Sequence, residues 1–364
     1  MPDIESHARP TRRKHDFAIL KNAPDKNGTF YFYVSTCYTG DEKLSLMAFK
    51  WFAMTIGKGL NVKKIIVSGL INIETTVSIK DFPIEYQPID YNFFGVDTTI
   101  SGVGINVAAA LSALGSNPVL LSITAKDLYQ EIIESSLNAQ GINHHLLPLL
   151  HSTPQAVILY DSTGRRFINL DLKNIQAVSY PLNPAENLLP DTSLAIMGNI
   201  NFSRELMRFY KKNQIKIATD VHVVNDIEDA FNKEFMENAD ILFLSNENII
   251  GEEQGFMAKL IAAYHNEIIV IGLGDQGVLM YVRQENSVTR YPAMKTRPII
   301  NTVGAGDALF SCFVHYYHKY QNPSDAMEKA IYFASYKIGE AGAASGFLDE
   351  NELEKQFAKA KERL

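Results

Sequence analysis

The chain has 364 residues and a formal net charge of −7, with 46% hydrophobic and 21% charged residues. This composition predicts a folded protein with one large or two ordinary domains, and the acidic balance argues against a general polyanion binder. Cys37 and Cys312 are too far apart in sequence to suggest a disulfide framework or zinc site, and no secretory signal or membrane span is recognisable, so we expect a cytoplasmic protein.

Residues 1–62 are interpreted as an N-terminal extension whose role the sequence does not reveal. FYFYVST at 30–36 predicts a strand, and EKLSLMAFKWFAMTI at 42–56 predicts an amphipathic helix that carries the only tryptophan, Trp51. We favour a segment that packs on the main domain or on a second copy of the chain. A separate regulatory or targeting element is the alternative.

From residue 63 onward, short apolar strands alternate with amphipathic helices. KKIIVSGLI at 63–71 is a nearly continuous apolar run, which is typical of a strand covered on both faces. GINVAAALSALG at 104–115 predicts a helix that ends at a glycine, and QAVILYD and RRFINLDL predict a hairpin around DSTG. This alternation predicts an α/β fold with a mostly parallel sheet between layers of helices. Further helices are predicted at 127–141, 202–213, 229–239, 255–265, 308–320, 325–341 and 351–364.

The segment NTVGAGDALF at 301–310 places Gly304, Ala305 and Gly306 directly before Asp307 and an apolar-periodic helix. The first turn of a helix carries N–H groups without partners and a partial positive charge, and small residues let an anion approach them. An acid beside such a site is suited to accept a proton from a hydroxyl that attacks phosphorus. A plain loop with Asp307 as an ordinary cap is the alternative, because a short glycine-rich string is weak evidence.

Two stretches resemble the signatures of the ribokinase-like (PfkB) carbohydrate kinase family, and the resemblance covers roughly residues 64–347. SGVGINVAAALSALG at 101–115 is similar to the family's substrate-side motif, and NTVGAGDALFSCF at 301–313 is similar to its C-terminal signature, D-T-x-G-A-G-D. GLINIE, ATDV, SNE and GLGDQG match weaker family elements in the same order. The resemblance implies a ribokinase-like sandwich at 63–350, with a central mostly parallel sheet flanked by helices and a small β lid from about 73–100 and 154–172.

The same resemblance implies roles for individual residues. Asp307 would be the catalytic base, and the backbone N–H groups of Gly304, Ala305 and Gly306 would form an anion hole for the γ-phosphoryl group of ATP. Carboxylates and amides suit the recognition of substrate hydroxyls. The positions that match substrate-binding residues are Asn72, Glu74, Gly102, Gly104 and Asn106.

Nucleotide binding is implied for a second set of positions. Asn246 would help to arrange Mg²⁺ through water, and Mg²⁺ is expected together with ATP because phosphoryl transfer needs its charge neutralised. The resemblance leaves a requirement for a monovalent cation open. The positions that match nucleotide-binding residues are Asn246, Gly274, Gly277, Thr302, Gly342 and Ala343.

Four positions depart from the family pattern. Asn301 replaces the first Asp of the C-terminal signature, Glu74 replaces a shorter Asp after the first strand, and Ser101 replaces the first glycine of the substrate-side pair. Ile249 replaces the Glu of the N-x-x-E element, so that Glu247 or a glutamate of GEEQ would have to substitute for it. These departures leave the metal arrangement and the identity of the substrate open.

We therefore predict a phosphotransferase that moves the γ-phosphoryl group of ATP to a hydroxymethyl group of a sugar. A kinase of adenosine- or inosine-like nucleosides is the alternative, because aromatic residues of the lid could stack on a base, or simply fill an interface: Tyr86, Tyr91, Phe93 and Phe94. A ligand sensor of the same fold without turnover is a third hypothesis.

The scattered histidines are interpreted as surface or loop residues, His222 among them. No nucleic acid or membrane partner is expected, and exposed strand edges are compatible with a homodimer through the lid.

Overall fold

The chain divides into two compact units, residues 1–61 and 62–364. The computed structural model describes residues 19–21, 32–34, 63–163, 165–340 and 342–362. In the described helices, no stretch is both long enough and apolar enough to cross a bilayer.

In the first unit, strands β1 (Ile19–Lys21) and β2 (Phe32–Val34) pair antiparallel. Strand β2 lies within the strand predicted at 30–36, whereas the helix predicted at 42–56 lies outside the described residues.

The second unit is built on a large sheet and a small one. The described strands are β3 (Lys64–Ser68), β4 (Asn72–Ser78), β5 (Val96–Ser101), β6 (Pro118–Ala125), β7 (Asn143–Leu150), β8 (Gln155–Tyr160), β9 (Arg166–Asp171), β10 (Thr192–Met197), β11 (Lys216–Val223), β12 (Ile241–Ser245), β13 (Ile268–Gly272), β14 (Val278–Val282) and β15 (Ser287–Tyr291). The large sheet has the order β15-β14-β13-β12-β11-β10-β3-β6-β7. Its strands from β13 to β7 run parallel, and β14 and β15 run antiparallel.

Helices cover both faces of the large sheet. Ile65 and Val67 of β3 belong to one apolar core, and Ile66 between them belongs to the other, so the central strand is buried on both faces as its apolar run predicts. The described helices are α1 (Val103–Ala113), α2 (Leu128–Ala139), α3 (Asn183–Leu188), α4 (Ser203–Lys212), α5 (Lys233–Asn238), α6 (Glu253–Ala263), α7 (Ala305–Tyr320), α8 (Pro323–Lys337) and α9 (Glu350–Lys361). The predicted α/β fold with a mostly parallel sheet is confirmed.

Strand β7 at the edge of the large sheet is absent from the elements predicted above. Its sequence NHHLLPLL begins with three polar residues and contains Pro148, so it has neither the alternation nor the continuous apolar run of a typical strand. An edge position tolerates this composition, because one side of the strand needs no hydrogen-bonded neighbour.

The small sheet has the order β5-β4-β8-β9 and is formed by the two stretches predicted as the lid. Strand β4 pairs antiparallel with β5 and parallel with β8, and β9 closes the sheet as an antiparallel edge strand. Three residues separate the end of β3 at Ser68 from the start of β4 at Asn72. The small sheet therefore begins beside the carboxyl edge of the large one. That edge is the usual location of ligands in open α/β sheets.

Candidate active site

The carboxylate of Asp307 lies in the first turn of α7, which begins at Ala305 after the capping residue Gly304. Asp307 is buried, and its Oδ2 accepts a hydrogen bond of 2.7 Å from the side-chain amide of Asn106 on α1. Helix α7 therefore presents the predicted base, and α1 fixes its orientation.

The electrostatic surroundings of Asp307 favour a carboxyl group that can take up a proton. Burial raises the pKa of Asp307 above its ordinary value, and the nearby carboxylate of Asp220 acts in the same direction. The charge of His222 and the hydrogen bond from Asn106 act in the opposite direction. A general base is most effective when its pKa is brought closer to the working pH, so this shift suits a proton acceptor.

The mouth of α7 presents backbone donors. The N–H group of Ala305 donates to the carbonyl oxygen of Thr302 at 3.2 Å, and the first bond of the helix runs from Ala308 to Gly304 at 3.0 Å. The N–H groups of Gly306 and Asp307, in contrast, donate to no oxygen within the described part of the chain. Gly306 is exposed, so an anion can reach these donors.

Gly304 joins this mouth to the segment predicted to lie near the nucleotide. Its φ of 77° is in the left-handed region, and a Cβ atom here would lie only 2.8 Å from the carbonyl oxygen of Ala343. The close contact requires glycine and brings Ala343, with Gly342 beside it, against the predicted anion hole. Asn301 stabilises the same loop, because its Oδ1 accepts a hydrogen bond of 2.9 Å from the N–H of Val303. A carboxylate could accept that bond as well, so the change from Asp to Asn preserves the turn and removes a charge.

On the predicted substrate side, two buried amide oxygens have no hydrogen-bond partner among the described residues. They are Oδ1 of Asn72 and Oδ1 of Asn106. Leaving a buried acceptor without a donor costs roughly 1–3 kcal/mol, so such atoms call for an explanation. Donors from a bound ligand, such as sugar hydroxyls, would satisfy both.

Glu74 and Ser101, two of the departures from the family pattern, interact with each other. Burial raises the pKa of Glu74, whereas a hydrogen bond with the Ser101 side chain and the charge of Lys337 act to lower it. The longer acid and the added hydroxyl are thus neighbours on the paired strands β4 and β5 of the small sheet.

The two glycines of the substrate-side motif have distinct surroundings. Gly102 has a φ of 107°, and a Cβ atom there would lie 2.6 Å from the carbonyl oxygen of Leu70 and 2.8 Å from Asn72 Oδ1. The N–H of Gly104 donates to Leu70 at 2.9 Å, so this donor is already used within the chain. Gly102 thereby leaves room for the Asn72 amide, and Gly104 packs the start of α1 against the end of β3.

The structure brings to the site three residues for which the sequence analysis predicts no role in it. Lys337, at the end of α8, is fully buried and donates a hydrogen bond from Nζ to the carbonyl oxygen of Val303. Asp220 lies beside Gly306, since a Cβ atom on that glycine would be 4.0 Å from Asp220 Oδ2. His222 lies in β11 with its Nδ1 3.7 Å from Asp220, rather than in a remote surface loop. Asp220 could have been found from the sequence, because it belongs to the ATDV match. Lys337 could not, because a lysine near the end of a helix with both polar and apolar residues belongs to no motif.

The predicted nucleotide-binding residues Asn246 and Gly274 follow the carboxyl ends of β12 and β13. Gly274 and Gly277 lie in and directly after the short 3₁₀ turn that links β13 to β14. The amide of Asn246 donates to Glu253 Oε1 at 2.8 Å. Ile249, in contrast, is buried in a core. Among the glutamates considered above, Glu253, the second of GEEQ, is therefore the one whose carboxylate accepts a hydrogen bond from Asn246.

Asn246 and Glu253 have side-chain oxygens that could act as ligands of Mg²⁺. The hydrogen bond from Asn246 lowers the pKa of Glu253, so this carboxylate stays ionised, and both side chains offer the hard oxygen ligands that Mg²⁺ prefers. Within residues 63–362, apart from 164 and 341, no cluster of three or more His, Cys, Asp or Glu side chains could hold a metal. These residues fit a magnesium ion that keeps its waters and phosphate ligands rather than one enclosed by protein.

Comparison with known proteins identifies relatives over most of the chain. The ribokinase of Dictyostelium discoideum is 24% identical over 323 residues, which cover 79% of this chain and 98% of that protein. The pseudouridine kinase of Escherichia coli is 25% identical over 243 residues, which cover 62% of this chain and 76% of that protein. A solved structure of a microbiome-derived acarbose kinase has a TM-score of 0.74 and 20% identity, and the match covers 82% of this chain and 99% of that one.

The structural likeness confirms the ribokinase-like fold. The named relatives confirm the predicted enzyme class, an ATP-dependent sugar or nucleoside kinase. Residues 63–351 match the model of the pfkB family carbohydrate kinases, and this chain belongs to that family.

Proposed function

We propose that this enzyme transfers the γ-phosphoryl group of ATP to a hydroxymethyl group of a sugar, with Asp307 as the base. The arrangement that carries this proposal is the buried Asp307 carboxylate, oriented by Asn106, at the mouth of α7. Beside it, the N–H groups of Gly306 and Asp307 donate to no oxygen of the described residues. The acid would serve the attacking hydroxyl, and the donors would serve the phosphoryl group.

In the proposed reaction, the hydroxyl proton of the sugar moves to the carboxylate of Asp307. The hydroxyl oxygen forms a bond to the γ-phosphorus while the bond to the β–γ bridging oxygen breaks, and ADP leaves with that electron pair. Hydrogen bonds from the N–H groups of Gly306 and Asp307 stabilise the charge on the phosphoryl oxygens. Mg²⁺, when bound, supplies positive charge to the phosphates, and Asn246 and Glu253 would hold it through water.

The remaining predicted residues would bind the two substrates. Asn72, Glu74 and Asn106 supply acceptors for sugar hydroxyls, and the similarity to a ribokinase supports an acceptor of this type. The nucleotide would lie along Gly274, Gly277, Thr302, Gly342 and Ala343. The small sheet would cover the sugar as a lid. A cytoplasmic location, a lid-mediated homodimer and a monovalent cation requirement stay predictions.

A nucleoside is the second candidate acceptor. The similarity to a pseudouridine kinase supports it, and so do the exposed aromatic side chains between β4 and β5. Tyr91 and Phe93 are 75% and 81% exposed and stack on each other with their ring centroids 6.2 Å apart. A nucleobase could insert against such rings, because base–aromatic stacking contributes about 1–3 kcal/mol.

The test is a coupled assay of ADP release with one pool of sugars and one pool of nucleosides. We expect turnover with the sugar pool. Turnover with nucleosides alone would select the second candidate, and Phe93→Ala should then raise KM for the nucleoside. If both pools are inert while ligands still raise the melting temperature, the catalytic proposal is wrong and the sensor hypothesis is favoured.

A further inference from the structure

Two lysines of helix α8 are buried, and only one of them has an obvious structural role. Lys329 forms an ion pair with Asp325 on the same helix at 3.0 Å and a second one with Glu354 at 2.7 Å, and the second pair ties α8 to α9. Lys337 is fully buried and, among the described residues, has no carboxylate within ion-pair distance of its Nζ. Burying an ammonium group without a counterion in contact is expensive, whereas methionine would fill similar space without that cost.

Lys337 instead contacts the loop that leads into the anion hole. Its Nζ donates to the carbonyl oxygen of Val303, the residue directly before Gly304. The same end of α8 holds the loop a second time, because the carbonyl oxygen of Ile338 accepts hydrogen bonds from the N–H groups of Ile300 at 2.9 Å and Asn301 at 3.1 Å. The mouth of α7 is thus attached to the last turn of α8 through both backbone and side chain.

The ammonium also lies within the electrostatic influence of the site. Burial lowers the pKa of Lys337 to about 8, while the charges of Asp307, Glu74 and Glu340 act to raise it and that of Arg297 acts to lower it. The two acids with which it interacts most strongly are the proposed base and a proposed sugar-binding residue. Below that pKa, the ammonium gives the site a positive charge on the side of α8.

We propose that Lys337 is a positioning residue for phosphoryl transfer: its ammonium holds the Val303 carbonyl, and therefore the Gly304–Asp307 turn, where the N–H groups can receive the moving phosphoryl group. This inference rests on the proposed kinase function. A positioning role predicts an effect on the transfer step, because a small displacement of catalytic donors lowers kcat strongly while leaving ground-state binding nearly intact.

The test compares Lys337→Met with Lys329→Met, a matched change of the other buried lysine on the same helix. For Lys337→Met we expect kcat to fall about 100-fold, with the dissociation constant of ADP, measured by calorimetry, changed less than about threefold. For Lys329→Met we expect a lower melting temperature and an unchanged kcat. The wild-type enzyme should also lose kcat/KM above about pH 8 as Lys337 deprotonates, and Lys337→Met should lack this basic limb.

The outcomes separate this inference from the proposed function. If wild-type enzyme turns over an acceptor and Lys337→Met retains a similar kcat, or loses ADP affinity in parallel with kcat, the positioning role is wrong and the kinase function stands. If the wild-type enzyme turns over neither pool of acceptors, both proposals fail. Should Lys337→Met not fold, the wild-type pH profile decides, because a profile without a basic limb near pH 8 contradicts the role.

Discussion

The side-chain amide of Asn106 donates a hydrogen bond of 2.7 Å to Asp307 Oδ2 and joins two helices whose residues are 201 positions apart in sequence. The bond does two things for the proposed base. It fixes the direction of the carboxylate, and it lowers the pKa of Asp307 against the larger effect of burial.

Replacing Asn106 with alanine should therefore change the pH profile as well as the rate. Without the donor, burial acts with less opposition and the pKa of Asp307 rises, so the acidic limb of kcat/KM moves to higher pH. Loss of orientation should also lower kcat by about 10–100-fold. The measurement is a pH series of initial rates.

Asn266→Ala is the control for that series. Asn266 is also buried, but its amide donates to the carbonyl oxygens of Met236 and Ala239. It lies just before the amino end of β13, whereas the site lies at the carboxyl ends of the strands. This variant should be less stable while its acidic limb stays in place. An Asn106→Ala limb that coincides with wild type would contradict the contact's effect on Asp307.

Asp307→Asn should abolish most of the transfer activity. The amide cannot accept the hydroxyl proton, and general base catalysis contributes typically about 10²–10⁴-fold, so kcat should fall by that factor. ADP affinity should change little, since the N–H donors remain. Rate assays and calorimetry measure the two effects, and a variant that keeps about half of the wild-type kcat would remove Asp307 from the role of base.

Gly304→Ala should distort the proposed anion hole, because the added methyl group would collide with Ala343. The new Cβ atom would lie 2.8 Å from the carbonyl oxygen of Ala343 at a φ of 77°, so the turn must shift. Gly115→Ala is the matched control, because Gly115 has a φ of 79° and no atom within 4 Å of the same position.

Both alanine variants should lose about 1–2 kcal/mol of stability from the left-handed backbone. Only Gly304→Ala should also lose kcat, by about 10-fold or more. Denaturant titration and steady-state kinetics separate the two effects. Equal rates for the two variants would indicate that the turn can shift without cost to transfer.

Glu74→Asp should weaken sugar binding. The carboxylate would retract by one methylene from the neighbouring Ser101 side chain, and the sugar would meet an acceptor in a different place. We expect KM for the acceptor to rise about 10-fold with KM for ATP unchanged. Glu85→Asp is the control, because Glu85 is an exposed acid in the segment between β4 and β5. This variant should leave KM for the acceptor and KM for ATP unchanged.

If Glu74→Asp instead keeps the wild-type KM for every sugar that the enzyme accepts, Glu74 does not contact the substrate. A gain in activity toward a different sugar would be equally informative. It would identify the Glu74–Ser101 pair as a determinant of substrate choice.

The layered α/β fold follows from local patterns. Strand β3 is recognisable because its residues face two cores, and α7 is recognisable because a glycine-rich turn and an acid precede an apolar period. Strand β7 could not be predicted, because this edge strand contains His144, His145 and Pro148 and shows no hydrophobic periodicity.

The replacement of Ile249 shows the limit of a linear motif. The sequence leaves Glu247 and both glutamates of GEEQ as candidates, because spacing alone does not say which side chain turns back toward Asn246. In the folded chain Glu253 starts α6 and accepts the hydrogen bond, while Ile249 fills a core.

The sequence by itself determined the fold class, the family and the helix that presents Asp307, since these depend on periodicity and on residues adjacent in the chain. Only the tertiary structure decided that Asn106 orients Asp307 and that Lys337 reaches Val303. These contacts connect separate elements at one end of the sheet, and their geometry depends on how the chain winds around it. The charge of Lys337 affects the site only in the folded chain, because folding places it near its neighbours in a region of low dielectric constant.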